Sequence, residues 1–165
     1  MYKKKVYFFV VISVIFSSAL FSSISARSQL MPSFKMQLSN GKVFSSKDLS
    51  QQKPVIIIYF SPDCEHCQIL MDTLFKRITD FKKSHIVMVT FERANEVVDF
   101  EKHYQTSKYP NIKVGTEVPI FFFKTYYHLE HTPFTALFDK HGKLIVSYKD
   151  QTAVDDLIKR LKKLK

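Results

Sequence analysis

The stretch Val55–Cys67, "VIIIYFSPDCEHC", decides the fold. Its first six residues form a continuous β-branched and aromatic run, the composition of a strand buried on both faces. Pro62 stops that strand, and a helix is predicted over 64–83. Cys67, Leu70, Leu74, Ile78 and Phe81 recur there at helical spacing, with Met71 and Phe75 widening the stripe. The only two cysteines of the 165-residue chain, Cys64 and Cys67, thus fall where a central strand hands over to the first turn of a helix.

A structural disulfide, two ligands of a metal, and a pair that trades electrons are the three readings of this spacing. A bridge between residues three apart closes a very small loop and constrains the unfolded chain little. A structural zinc needs about four ligands, commonly two such pairs or a pair with two histidines, and the chain has no second cysteine pair. Redox chemistry leads. Its working form is the thiolate, which Cys64 at a helix start favours through free amide N–H groups and the helix dipole. Cys67, one turn in, is the shielded partner that resolves a mixed disulfide. Between them, a protonated His66 favours a thiolate, whereas Glu65 and Asp63 oppose it or simply cap the helix.

Outward from this stretch, "FKMQLSNGKVFS" (34–45) reads as a hairpin about Asn40-Gly41. "IVMVTF" (86–91) is a second buried strand, and 95–105 a helix with Asn95 as its cap. "NIKV" (111–114) fits a short strand, and "IFFFKTYYHL" (120–129) suits helix or strand, as core packing or a docking patch. "FTALFD" and "KLIVSY" form a hairpin across 140–142, and a basic helix from Val154 to Lys165 closes the chain. Strands alternating with helices and then a hairpin predict an α/β fold with a central mixed sheet flanked by helices. The cysteines would lie at the carboxyl end of a central strand, where such sheets place their sites.

At the front, three lysines precede the apolar run "VYFFVVISVIF" (6–16) and a small-residue stretch. That order describes residues 1–26 as a signal peptide, or else an uncleaved N-terminal anchor, and predicts an exported, periplasm-facing protein with its domain over 32–165. Without those residues the formal charge falls from +10 to +7. The lysines are spread, so the balance reads as solvated helix faces and not as a nucleic-acid footprint.

Taken together, "PSFKMQLSNGKVFSSKDL", "VIIIYFSPDCEHC", "TPF" and "ALFDKHGKLIVSY" resemble the thioredoxin-like family. The likeness is to exported thiol-disulfide oxidoreductases that share their start with peroxiredoxins. It covers most of the chain after the leader and keeps the family order. The resemblance implies a Cys64-Glu65-His66-Cys67 redox centre with Cys64 as nucleophile, and a cis-proline at Pro133 preceded by Thr132, which together dock an extended substrate. Pro119 is the rival position. No dissociable cofactor is implied. The partners implied are dithiol- or disulfide-containing client proteins and a membrane or exported redox partner. Two departures stand out. The strand before the cysteines lacks the buried acid that many relatives use to take a proton from the second cysteine, leaving water, Glu65 or His131. Peroxiredoxins need a proline seven residues before their cysteine, where Ile57 stands here. An alternative of the same fold is a Cu(I) metallochaperone using Cys64, Cys67 and His131.

Overall fold

A computed structural model describes residues 29–164. The leader expected over 1–26 lies outside the described residues. Seven strands form one mixed sheet in the order β2-β1-β5-β4-β3-β6-β7. Its centre is β3 (Val55–Tyr59), buried throughout as its composition requires. Two parallel neighbours follow outward, β4 (His85–Thr90) and then β5 (Ile112–Val118). On the other side β6 (Phe134–Phe138) and β7 (Leu144–Lys149) pair antiparallel as the expected hairpin.

The amino-terminal hairpin, β1 (Lys35–Leu38) and β2 (Val43–Ser45), extends the sheet by pairing antiparallel with β5. Its turn is built at Gly41, whose φ of +79° suits a residue without a Cβ. Among the described residues four helices cover the faces: α1 (Glu65–Lys76), α2 (Ala94–Tyr104), α3 (Phe122–Tyr127) and α4 (Val154–Lys162). The chain thus has the thioredoxin-like fold with the N-terminal hairpin that the sequence predicts.

Period-two alternation along β3 builds two cores. Ile56, Ile58 and Phe60 face α1, α2 and α4 through Leu70, Leu74, Phe100 and Leu157. Ile57 and Tyr59 face the opposite layer of Phe34, Phe123, Tyr127 and Phe134.

Two local expectations are corrected, one is extended, and one left open is resolved. The helix predicted over 64–83 ends at Lys76 with Arg77 as its C-cap, and Ile78–Phe81 forms a 3₁₀ turn. The β-branched pair Ile78-Thr79 disfavours continuation, and Arg77 bonds forward to Asp80 at 2.9 Å. Phe81 nonetheless stays buried, which is why the apolar period runs on past the true helix end. Asn95 is not a cap: Arg93 holds that position, and the Asn95 side chain donates to Glu96.

The short strand at "NIKV" continues to Val118. Gly115 breaks the apolar pattern there because β1 crosses so closely that a Cβ would lie 2.6 Å from the Gln37 carbonyl oxygen. The ambiguous 120–129 stretch is α3, set between left-handed residues Phe121 and His128. It divides its aromatics: Phe123 and Tyr127 enter the core, while Phe121 and Tyr126 remain exposed.

Candidate redox site

The site is built where β3 leaves the sheet. A turn, closed by Cys64 N–H to the Ser61 carbonyl at 3.2 Å, carries the chain into α1. Cys64 occupies the N-cap with extended backbone, φ −85° and ψ 118°. Serine or aspartate usually caps through oxygen; here the sulfur does so, accepting from the Cys67 N–H at 3.4 Å. The exposed Gln68 side chain ties the turn down by donating to the Pro62 carbonyl at 2.8 Å.

The two cysteines are free thiols in opposite surroundings. Cys64 is partly exposed, and Cys67 is 1% exposed within the core of Leu70 and Leu74. Burial alone would raise the Cys64 pKa. Hydrogen bonds from the Cys67 thiol, the Thr132 side chain and the backbone N–H groups of Cys67 and His66 outweigh it, and hold Cys64 below the ordinary thiol range. The same thiol can donate to the Thr132 carbonyl oxygen, 3.4 Å away, which favours the protonated form. The donors outnumber that single acceptor, and the net shift is downward. Cys67 is pushed up to about 12, first by burial and then by its bond to Cys64.

Opposite the pair stands the segment before β6. The Thr132–Pro133 bond is cis, and its backbone is anchored from below by Asp150 N–H to the Pro133 carbonyl at 3.0 Å. The Val118–Pro119 bond is cis as well, so the rival positions share a geometry. They differ in neighbourhood: Thr132 touches the Cys64 sulfur, whereas Pro119 follows β5.

Other candidates are placed less centrally. Glu65 and His66 have exposed side chains, and among the described residues neither hydrogen-bonds a cysteine sulfur. What His66 gives Cys64 is its backbone N–H, not its imidazole. His131 is exposed, and among the described residues no group of three His, Cys, Asp or Glu is gathered to hold a metal. The set Cys64, Cys67 and His131 is therefore not brought together as ligands.

Sequence reasoning missed Glu117. It is 0% exposed on β5, accepting from Tyr59 Oη at 2.9 Å and from the N–H groups of Phe121 and Phe123 at 2.7 and 2.8 Å. Two of those donors are orphan amides at the start of α3, so Glu117 caps that helix from a neighbouring strand. Its partner Tyr59 belongs to the face opposite Cys67, which separates this carboxyl from the second sulfur. The signal was present in "NIKVGTEVP": an acid two residues after Gly115 in a strand carried to its full length.

Similarity to known proteins agrees with this geometry. No curated protein matches the chain. Among solved structures, the pneumococcal exposed lipoprotein thioredoxin Etrx1 from Streptococcus pneumoniae is 20% identical with a TM-score of 0.61, covering 81% of this chain and 100% of its own. The MTB dsbF structure, in mixed oxidized and reduced forms, is 18% identical with a TM-score of 0.63, covering 84% and 98%. A peroxiredoxin-like protein from Aquifex aeolicus is 13% identical with a TM-score of 0.69, covering 84% and 86%. At these identities the likeness is one of fold. The AhpC/TSA family model matches residues 28–160, and the chain belongs to that family as a thioredoxin-like oxidoreductase.

Proposed function

We propose that this protein is an exported thiol-disulfide oxidoreductase that exchanges disulfides of client proteins through Cys64 and Cys67. One observation carries the reading: two thiols three residues apart, one accessible and acidified by hydrogen bonds, the other buried and pushed up to about 12. The Cys64 thiolate attacks one sulfur of a client disulfide, forming a mixed disulfide and releasing the other client sulfur, which takes a proton. Cys67 then gives up its proton and attacks Cys64, releasing the second client thiol. Two electrons and two protons pass to the client, and the pair is left as a disulfide. A dithiol partner, membrane-bound or exported, returns it to the reduced state; with an oxidising partner the same steps run backwards.

Thr132 and Pro133 would hold an extended client segment over Cys64, because the Thr132 carbonyl already lies 3.4 Å from that sulfur. Export rests on "MYKKKVYFFVVISVIF". Amino-terminal sequencing of protein from an outer compartment should begin near Ala26 or Arg27 if the leader is cleaved. The intact protein found soluble in the cytoplasm would refute export. The chemistry is tested by turnover of a protein disulfide with a dithiol as reductant, beside hydrogen peroxide as the competing substrate. Disulfide turnover that requires both cysteines supports the proposal; peroxide consumption with no disulfide turnover refutes it.

A further inference from the structure

The end of the sheet opposite the cysteines holds a cleft of about 680 Å³. Lys53, Lys82, Lys83, Lys140 and Lys162 line it, all exposed. Asp80 is the single carboxylate in the lining, and it is engaged by Arg77 at 2.9 Å and Lys162 at 3.6 Å. The positive potential reaches inward too. His85, whose N–H bonds the Pro54 carbonyl at this end, is held below the usual histidine range first by burial and then by Lys53 and Lys113.

A second, independent observation concerns where the chain enters. Met31 N–H bonds the Gly142 carbonyl at 2.8 Å, Leu144 N–H bonds the Gln29 carbonyl at 2.9 Å, and Leu30 bridges Lys143. Residue 29 therefore joins the fold beside the 139–143 turn that carries Lys140. The apolar run 6–16 and the small-residue stretch after it attach to the molecule at its lysine-lined pole. The nine steps of chain from Leu20 to Gln29 reach at most about 32 Å.

We propose that this pole seats against the anionic phospholipid headgroups of a bilayer. An apolar leader held in that bilayer delivers the lysines to within a Debye length of the surface, where each strengthens attachment about fivefold. A stacking platform for bases is missing, since no aromatic ring lines the cleft. Pro54 lies at this end of β3 and Phe60 at the other, about 20 Å apart by strand rise. Seating the basic pole thus turns Cys64 away from the lipid and toward the aqueous side. The proposal rests on the leader being kept as an anchor; it is independent of the cysteine chemistry, and its readout does not involve it.

The test uses the full chain in vesicles of phosphatidylcholine alone or with one-third phosphatidylglycerol. Surface lysines are acetylated briefly and read residue by residue by mass spectrometry. Lys53, Lys82, Lys83, Lys140 and Lys162 should be protected about fivefold or more by the anionic lipid, and the protection should fade at high salt. Lys35, Lys124 and Lys149, placed toward the cysteine end, should label equally in both vesicles. In the variant K53E/K82E/K83E, protection of Lys140 and Lys162 should disappear. The control K35E/K124E/K149E, with the same change in net charge, should keep it. Equal labelling of the pole in both vesicles overturns the proposal. So does equal protection in both variants, or protection by soluble polyphosphate with none by phosphatidylglycerol.

Discussion

On one face of the sheet Cys67 is buried among Leu70 and Leu74; on the other, Glu117 is buried as completely but meets three hydrogen-bond donors. Burial raises both groups above their ordinary ranges. The difference lies in what opposes it. Around Cys67 apolar surroundings and the bond to Cys64 favour the proton and outweigh the hydrogen bonds of Thr132 and Ser61 that oppose it, which suits a thiol that must wait for a mixed disulfide. Around Glu117 the amides of Phe121 and Phe123 and the Tyr59 hydroxyl pull the other way, and the carboxyl is fixed in place. A buried group whose net surroundings favour the proton is held neutral, while one met by three donors becomes part of the frame.

The largest expected effect breaks the cysteine side of this comparison. Cys64→Ser should lower disulfide turnover by about 10³-fold or more, because no other thiol is acidified in the described site. Cys67→Ser should instead accumulate mixed disulfides with client proteins, visible as reducible adducts on a gel. Alkylation of the reduced protein at mildly acidic pH should label Cys64 well before Cys67, in keeping with their opposite shifts. If Cys67 labelled first, or if both variants kept activity, the assigned division of labour would be wrong.

Next in size is Glu117→Ala. It leaves two amides and a hydroxyl without their acceptor and opens a void, and should cost about 3 kcal/mol of stability by denaturant titration. A loss under about 1 kcal/mol would mean that water replaces the carboxyl and that the capping of α3 is not what holds the segment.

What the sequence disclosed and what it withheld follow the same physics. β3, the site turn and the final hairpin were legible because each combines a strong local signal with burial: the β-branched run, Pro62, and Gly142 in a tight turn. Cys64 at a helix start was legible from spacing. The interior of 111–129 was not, because its determinants cross from one element to another. Gly115 is required by the backbone of β1, Glu117 is satisfied by residues two and four positions beyond Pro119 and by Tyr59 from another strand, and α3 gains its cap from β5. The helix after Cys67 was overextended because a 3₁₀ turn at Ile78–Phe81 keeps Phe81 on the apolar stripe.

Glu117→Gln separates charge from shape. Burial raises the Glu117 carboxyl most, opposed by the Phe123 N–H, the Tyr59 hydroxyl and the Phe121 N–H. For an acid raised in the folded state, the stabilising contribution is fully present below the unfolded value, near 4.5, and is lost as pH rises through the folded value. The glutamine variant lacks that loss. Measured against it, the natural protein should therefore weaken between about pH 4.5 and neutrality. A constant difference across that window would show that the carboxyl keeps its ordinary acidity despite complete burial.

Tyr59→Phe should have the smallest effect and gives the sharpest view of the donor set. Burial and the neighbouring Glu117 together raise the Tyr59 hydroxyl, so it stays protonated and donates, at 2.9 Å. Its ring would keep its packing against Phe91 and Phe123, at centroid distances of 5.8 and 5.9 Å. Glu117 would keep both amides. The expected loss is one buried hydrogen bond, about 1 kcal/mol. Because that bond also lowers the Glu117 carboxyl, removing it lets burial raise the group further. The deficit of Tyr59→Phe should then be greater at neutral pH, where ionising the carboxyl costs more, than at pH 4, where it is mostly protonated in both folded and unfolded chains. In the Glu117→Gln background this pH dependence should vanish, leaving only the pH-independent loss of a donor. Equal deficits at pH 4 and at neutrality in the natural background would show that the hydroxyl fills space beside Glu117 without tuning it.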